Sequence, residues 1–217
     1  MKKISFTDKN FDLAFQYHKK NDLKNAENLY RKVLKFNPNH FQSNYLLGTL
    51  LMQINNLSEA KKLLTKAIQI NPNHVPTYNN LGMLSQQINE TLKAVEYYKK
   101  AIQIQPDNAS VNNNIGNVQK ELGEYQKAID YYKKAIQIDP NYLAPYNNLG
   151  KILGELNYLD QAKKYYEKAL NLNPNINETL DEYGKILLKL NKHTEGLNFI
   201  RKGTGFIRFE EKNFTLI

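Results

Sequence analysis

The 217-residue chain carries 30 Lys and Arg against 21 Asp and Glu, a formal net charge of +9, and contains no cysteine. Without cysteine there is no disulfide framework, no thiolate metal site and no thiol nucleophile, a composition that suits a reducing compartment. No run reaches the roughly 18 apolar residues that a membrane span requires, and the expectation is a cytoplasmic protein.

Met1-Lys2-Lys3 opens like the charged part of a secretory leader, but Thr7-Asp8-Lys9-Asn10 stands where an unbroken apolar stretch should follow. No signal peptide is expected. From Thr7 onward the chain divides into six copies of one pattern, beginning at Thr7, Phe41, Val75, Ala109, Leu143 and Asn177. In each, apolar residues at helical spacing predict a first helix over positions 2–14 and a second over roughly 17–30. Position 15, between them, is Asn21, Asn55, Asn89, Gly123, Asn157 and Asn191. Only Gly and, less readily, Asn enter the left-handed conformation cheaply, and many helices end that way. Pro38, Pro72, Pro106, Pro140 and Pro174 then close the second helix, since proline lacks the N–H that would continue it. Pro76 and Pro145 fall near the start of a first helix, where proline is tolerated.

The central copy spans Ala109 to Tyr142 and holds Ile115, Gly116, Ala128, Tyr132, Ala135 and Pro140 at positions 7, 8, 20, 24, 27 and 32. The same residue kinds recur 34 residues upstream (Leu81, Gly82, Ala94, Tyr98, Ala101, Pro106) and downstream (Leu149, Gly150, Ala162, Tyr166, Ala169, Pro174). This spacing resembles the tetratricopeptide repeat, a helix-turn-helix unit. The chain departs from that family at position 4, where Asn44, Tyr78, Asn112, Tyr146 and Leu180 replace a bulky Trp, and at position 11, where Gln119 replaces Tyr.

The resemblance implies an all-α, right-handed superhelical solenoid over 1–203, with repeats 7–40, 41–74, 75–108, 109–142 and 143–176 and a degenerate capping repeat 177–203. Such an array reads as one domain, because its core grows linearly with each copy. It also implies that Gly at position 8 faces Ala at position 20, with Tyr98, Tyr132 and Tyr166 as the large knobs of the interface. Most of the tyrosines are expected in the core.

The ends are worn. Copy one has Ala14 for Gly and Val33 for Ala, while copy six has Gly196 and Gly203 where Ala is expected and Arg208 in place of Pro. Two glycines inside one helix cost about 1 kcal/mol each relative to Ala, so the last helix is expected to be short or frayed. Residues 204–217 form a tail in which Gly205-Phe206-Ile207-Arg208-Phe209 and Phe214-Thr215-Leu216-Ile217 flank a polar turn. That pattern reads as a small hairpin or a lid over the last repeat, and self-association through the tail or end repeats is a compatible outcome.

Much of the positive charge lies in doublets late in the second helices: Arg31-Lys32, Lys99-Lys100, Lys133-Lys134 and Arg201-Lys202. Cations there complement the helix dipole and are read as a solvated outer face. Nucleic acid and membrane are therefore not the expected partners.

In the family the inner, concave face is lined mainly by the first helix, at positions 2, 5, 6, 9, 12 and 13. Positions 5 and 6 are Asn79-Asn80, Asn113-Asn114 and Asn147-Asn148 in the three central copies. An Asn amide both donates and accepts, which suits it to gripping a peptide backbone. The repeat arrays of O-linked N-acetylglucosamine transferases, which this pattern resembles, hold extended polypeptide with asparagines at position 6. The alternative is that the asparagines shape the helices. The expected face runs from Phe11, Phe15 and Tyr45 through Asn117 to Lys151, Asp181, Glu182 and Lys185. The Lys and Asn set of the family's carboxylate clamp occurs in no three successive copies.

No P-loop, dinucleotide, zinc-protease or nucleophile-elbow motif is present, and His18, His40, His74 and His193 are scattered. No enzyme activity, metal, cofactor or small-molecule substrate is expected. The reading is a scaffold that binds a protein or peptide through Tyr45, Asn79, Asn80, Asn113, Asn114, Asn117, Asn147, Asn148 and Lys151. A substrate-recruiting arm of a glycosyltransferase and a basic surface for nucleic acid or membrane are the alternatives.

Overall fold

The computed structural model describes residues 6–205, which form twelve α-helices and no strand. They are α1 (Phe6–Lys19), α2 (Leu23–Phe36), α3 (Phe41–Gln53), α4 (Leu57–Ile70), α5 (Val75–Gln87), α6 (Thr91–Ile104), α7 (Ala109–Glu121), α8 (Tyr125–Ile138), α9 (Leu143–Glu155), α10 (Leu159–Leu172), α11 (Asn177–Lys189) and α12 (His193–Thr204). Odd-numbered helices are the A helices of the six copies and even-numbered ones the B helices. The hairpin expected in the tail lies beyond the described residues.

All six turns inside the hairpins are left-handed at position 15. Asn21, Asn55, Asn89, Asn157 and Asn191 have φ between 59° and 63°, and Gly123 has φ 76°. The joints between copies carry a second device. Asn37, Asn71, Asp139 and Asn173, each just before the repeat proline, accept from the backbone N–H two residues on at 3.0–3.2 Å. Such Asx turns compete with helix continuation, so helix B ends before the proline rather than at it.

The histidines at position 34 open the following A helix. His40 Nδ1 accepts from the Ser43 N–H at 3.2 Å and lies 2.9 Å from Ser43 Oγ, and His74 Nδ1 lies 2.7 Å from Thr77 Oγ1. Burial lowers the pKa of His18, His40 and His74 below the ordinary 6.5. A base with a depressed folded pKa takes up its proton first in the unfolded chain, so its contribution is present above pH 6.5 and is lost as pH falls through the folded value. The urea midpoint should therefore fall between about pH 7.5 and about pH 5. His40→Asn combined with His74→Asn removes the titration, keeps a side chain able to make the cap that His40 makes, and should flatten that fall.

The chain divides into two compact units after Pro106. In the first, α1 to α6 pack in sequence, and Ala14, Ala26, Tyr30, Leu47, Ala60, Leu64 and Leu81 are fully or almost fully buried in one cluster. In the second, α7 to α12 pack in the same way around Ala128, Tyr132, Leu149, Ala162, Tyr166 and Leu187. Tyr30, Tyr98, Tyr132 and Tyr166 are among the largest fully buried side chains.

The position 8 glycine meets two positions of helix B. A Cβ at Gly82, Gly116 or Gly150 would come within 2.7 Å of the ring of Tyr98, Tyr132 or Tyr166 at position 24, while one at Gly48 or Gly184 would also meet position 20, at Ala60 O (3.4 Å) or Gly196 O (2.7 Å). The ring at position 24 presses on helix A beside position 20, because helical geometry puts the two positions a turn apart on the same stripe.

Helix α12 has 12 residues where the other B helices have 14, in line with the expected shortening. Its glycines are nonetheless packed. A Cβ at Gly196 would meet Gly184 O at 2.8 Å, and one at Gly203 would meet Asn177 O at 2.6 Å and Asp181 N at 2.9 Å.

Of the basic doublets, Arg31 differs from a solvated cation. Its guanidinium forks onto the Glu59 carboxylate of the next copy and also bonds Glu27. A bidentate pair of this kind fixes one B helix against the next.

Candidate functional site

The A helices of the first unit present an aromatic surface. Phe11 and Phe15 stack on α1 and Phe41 and Tyr45 on α3, with ring centroids 6.4 Å apart in each pair. His74 meets Phe41 edge-on at 4.8 Å and Tyr45 at 4.7 Å. Tyr45 is half-buried, held by these rings. Asn80 Nδ2 donates to Thr49 Oγ1 at 2.9 Å, and Thr49 Oγ1 donates to Tyr45 O at 2.9 Å, so the position 6 amide of α5 is tied to α3. Asn79 Nδ2 reaches Met83 Sδ at 3.7 Å.

In the second unit the asparagines form a tighter set. Asn148 Nδ2 donates to Asn113 Oδ1 at 2.9 Å and to Asn117 Oδ1 at 3.0 Å, and Asn117 Oδ1 also accepts from Tyr132 Oη at 2.9 Å. Thr179 Oγ1 donates to Asn147 Oδ1 at 3.1 Å. Asn113 is buried, Asn114, Asn117, Asn147 and Asn148 are half-buried, and Lys151 is exposed. The amides thus stitch successive A helices while their remaining donors and acceptors edge a preordered surface. Thr49 and Thr179, which sequence reasoning passed over, complete the stitching. Their signal was their place at positions 9 and 3 beside the Asn positions.

Between α9 and α11 lie two adjoining cavities of about 320 and 330 Å³, and Tyr166 lines both. Its setting differs from that of its equivalents. Tyr30 Oη has His18 Nδ1 at 3.4 Å, Tyr98 Oη donates to Gln86 Oε1 at 2.8 Å, and Tyr132 Oη donates to Asn117. The partners come from position 12 or position 9, and in copy five those are Gly154 and Lys151. Tyr166 is 2% exposed and its hydroxyl has no hydrogen-bond partner among the described residues. Burial, reinforced by the carboxylates of Glu182, Glu155 and Glu178, pushes its pKa well above the ordinary 10.

Removing the two hydroxyls should therefore have different consequences. Tyr132→Phe should cost about 0.5–1.5 kcal/mol, the net worth of one hydrogen bond. Tyr166→Phe should change stability by less than about 0.5 kcal/mol, and paired denaturant titrations compare them.

No helix among the described residues is long and apolar enough to cross a membrane.

Sequence models described as tetratricopeptide repeat match residues 17–82, 109–142 and 143–176, and one described as TPR repeat matches 87–123. A comparison with curated proteins returns no match. Among solved structures, that of the MamA protein is 29% identical with a TM-score of 0.68, covering 77% of this chain and 92% of that one. PilW, a type IV pilus biogenesis factor, is 18% identical with a TM-score of 0.83, covering 92% and 94%. YrrB, described as a TPR protein with an unusual peptide-binding site, is 18% identical with a TM-score of 0.63, covering 81% and 91%.

Proposed function

Because this chain belongs to the tetratricopeptide repeat family, we propose that it is a protein-interaction scaffold whose A-helix face binds an extended segment of a partner protein. The observation that carries the reading is the set of inter-repeat hydrogen bonds from Asn80, Asn148 and Thr179. They hold the A helices in register before any ligand arrives, so the partner bears most of the ordering cost on docking. Half-buried amides along this face donate and accept, matching the alternating groups of a peptide backbone. The aromatic surface of the first unit, with Phe15 and Tyr45, supplies apolar anchors, and a few such anchors dominate affinity in most interfaces. MamA and PilW share the fold, and YrrB is a repeat protein that binds a peptide. A chain of this kind contributes binding rather than chemistry.

Replacing the asparagines would disturb the stitching as well as any contact, so the cleaner test uses the absence of native cysteine. Single cysteines at Met83 and Lys151, both exposed on A helices, and at Lys99 and Lys133, exposed on B helices, are labelled with a photo-crosslinker. A common partner crosslinked in native extract from Met83 and Lys151 but not from the B-helix sites is expected. Capture from Lys99 and Lys133 alone would move the interface to the basic B-helix face and overturn the reading.

A further inference from the structure

The cavities between α9 and α11 carry an inference that rests on the reading above and gives it a chemistry. Every other tyrosine at position 24 has its hydroxyl partnered from the A helix of its own copy. Where position 24 is not tyrosine, position 12 is apolar: Met52 accompanies Leu64, and Leu188 accompanies Ile200. Copy five alone keeps the tyrosine and drops the partner, with Gly154 at position 12.

The result is a phenol without a protein partner on a side chain 2% exposed, which lines a cavity of about 330 Å³. The hydroxyl atom is not sealed from solvent, and a cavity of this size lies at the small end of ligand sites. The cavity walls are Asn147, Asn148 and Thr179 with the carboxylates of Glu178 and Glu182, and Lys151 at the edge.

The charges select the ligand. In a chain of net charge +9, the first two turns of α11 hold Glu178, Asp181 and Glu182 with no cation before Lys185. Lys185 pairs with Asp181 at 2.7 Å and Glu182 at 2.8 Å, whereas Glu178 has no ion pair among the described residues. Lys151 is exposed, as are Glu155 and Glu178, but no cation is among the groups that shift the Tyr166 phenol. Three carboxylates, Glu182, Glu155 and Glu178, act on the Tyr166 phenol. A phenol oxygen in a negative field, with a free lone pair, is an acceptor awaiting a cationic donor.

We propose that this cavity is a subsite for a basic side chain, Arg or Lys, of the bound peptide, whose N–H group donates to Tyr166 Oη while Glu178 and Glu182 balance its charge. The long aliphatic stem of either residue would lie along the cavity wall, leaving its head group at the hydroxyl. Asn147 and Asn148 stand where the peptide backbone would pass.

The test uses nonapeptide libraries, each with one fixed central residue and random flanks, applied to the full chain and to Tyr166→Phe and Glu178→Gln/Glu182→Gln variants. Fluorescence polarisation should show the Arg and Lys libraries binding about tenfold more tightly than those with Asp, Glu or Ala, as one charge-assisted hydrogen bond implies. Tyr166→Phe should remove most of that preference while leaving residual binding, because the hydroxyl supports nothing in the fold. The double Gln variant should do the same, with a weaker dependence on salt. Peptides that bind without preferring a basic residue, or a preference that survives Tyr166→Phe, would overturn the subsite and leave the scaffold reading intact. A preference for Asp or Glu would overturn it in favour of Lys151 as the deciding group. If no library binds the folded chain, both this inference and the peptide-binding reading fall.

Discussion

Tyr132→Ala should lower the stability of the second unit by about 3–5 kcal/mol, the usual cost of removing a large buried ring. Tyr132 is fully buried, its ring lies against the backbone of Gly116 and its hydroxyl bonds Asn117, which also accepts from Asn148. One truncation therefore opens a cavity and loosens a polar joint between two copies. Because each repeat contacts only its neighbours, the loss should appear first as faster amide exchange in α7, α8 and α9, ahead of global unfolding. Gly116→Val probes the same contact from the other side. Its side chain must displace a ring that already stands 2.6 Å from the nearest Cβ position, at about 1–3 kcal/mol. In a Tyr132→Leu background the cost should shrink, since copy two already packs Gly48 against Leu64. A double-mutant cycle should return a coupling of at least about 0.5 kcal/mol, and strict additivity would refute the ring-on-backbone contact. In copy one a methyl stands at this position, with Ala14 and Tyr30 buried in the same cluster.

Gly203→Ala and Gly196→Ala should each destabilise the chain by about 1–3 kcal/mol, although both place a better helix former inside a helix. Propensity alone predicts a gain of about 1 kcal/mol per site. The opposing effect is backbone contact. At Gly203 the added carbon would meet the carbonyl of Asn177 and the amide of Asp181, and at Gly196 the carbonyl of Gly184. Backbone in a helix cannot turn aside as a side chain can, so α12 would have to move away from α11. The sign of the change in denaturant midpoint decides the matter. A rise would mean that α12 is held loosely enough for propensity to win.

These glycines mark one boundary of what sequence alone reveals. As isolated residues they read as weak points of a worn repeat, since propensity is a property of one helix. Their packing value exists only when α11 and α12 are brought together. The position 8 glycines are a milder case. The period showed them to be structural, but that the side chain at position 24 presses on them as well as position 20 required the interhelical geometry.

The candidate face divides along the same line. Its Asn residues were legible because they recur at fixed positions, and their amide chemistry is intrinsic. Their pairing is not, because the bonds from Asn148 to Asn113 and Asn117 join residues 35 and 31 apart. Tyr166 shows how far the pattern could have been pushed. The exchange of polar for apolar residues at position 12 with the residue at position 24 is visible in the six copies laid side by side. That copy five breaks the rule is visible too. What the break produces, a cavity rather than a collapsed joint, depends on the spacing of α9 and α11.

The sequence by itself determined the repeat length, the helix pairs, the left-handed turns and the buried stripe of small and aromatic residues. Each of these follows from local φ/ψ preference or from the 3.6-residue period, which act within a single copy. The tertiary structure alone decided which surfaces meet, which amides are consumed in holding the helices together, and which hydroxyl is left without a partner. Those outcomes are set by contacts between residues far apart in the chain, and such contacts form only once the copies stack.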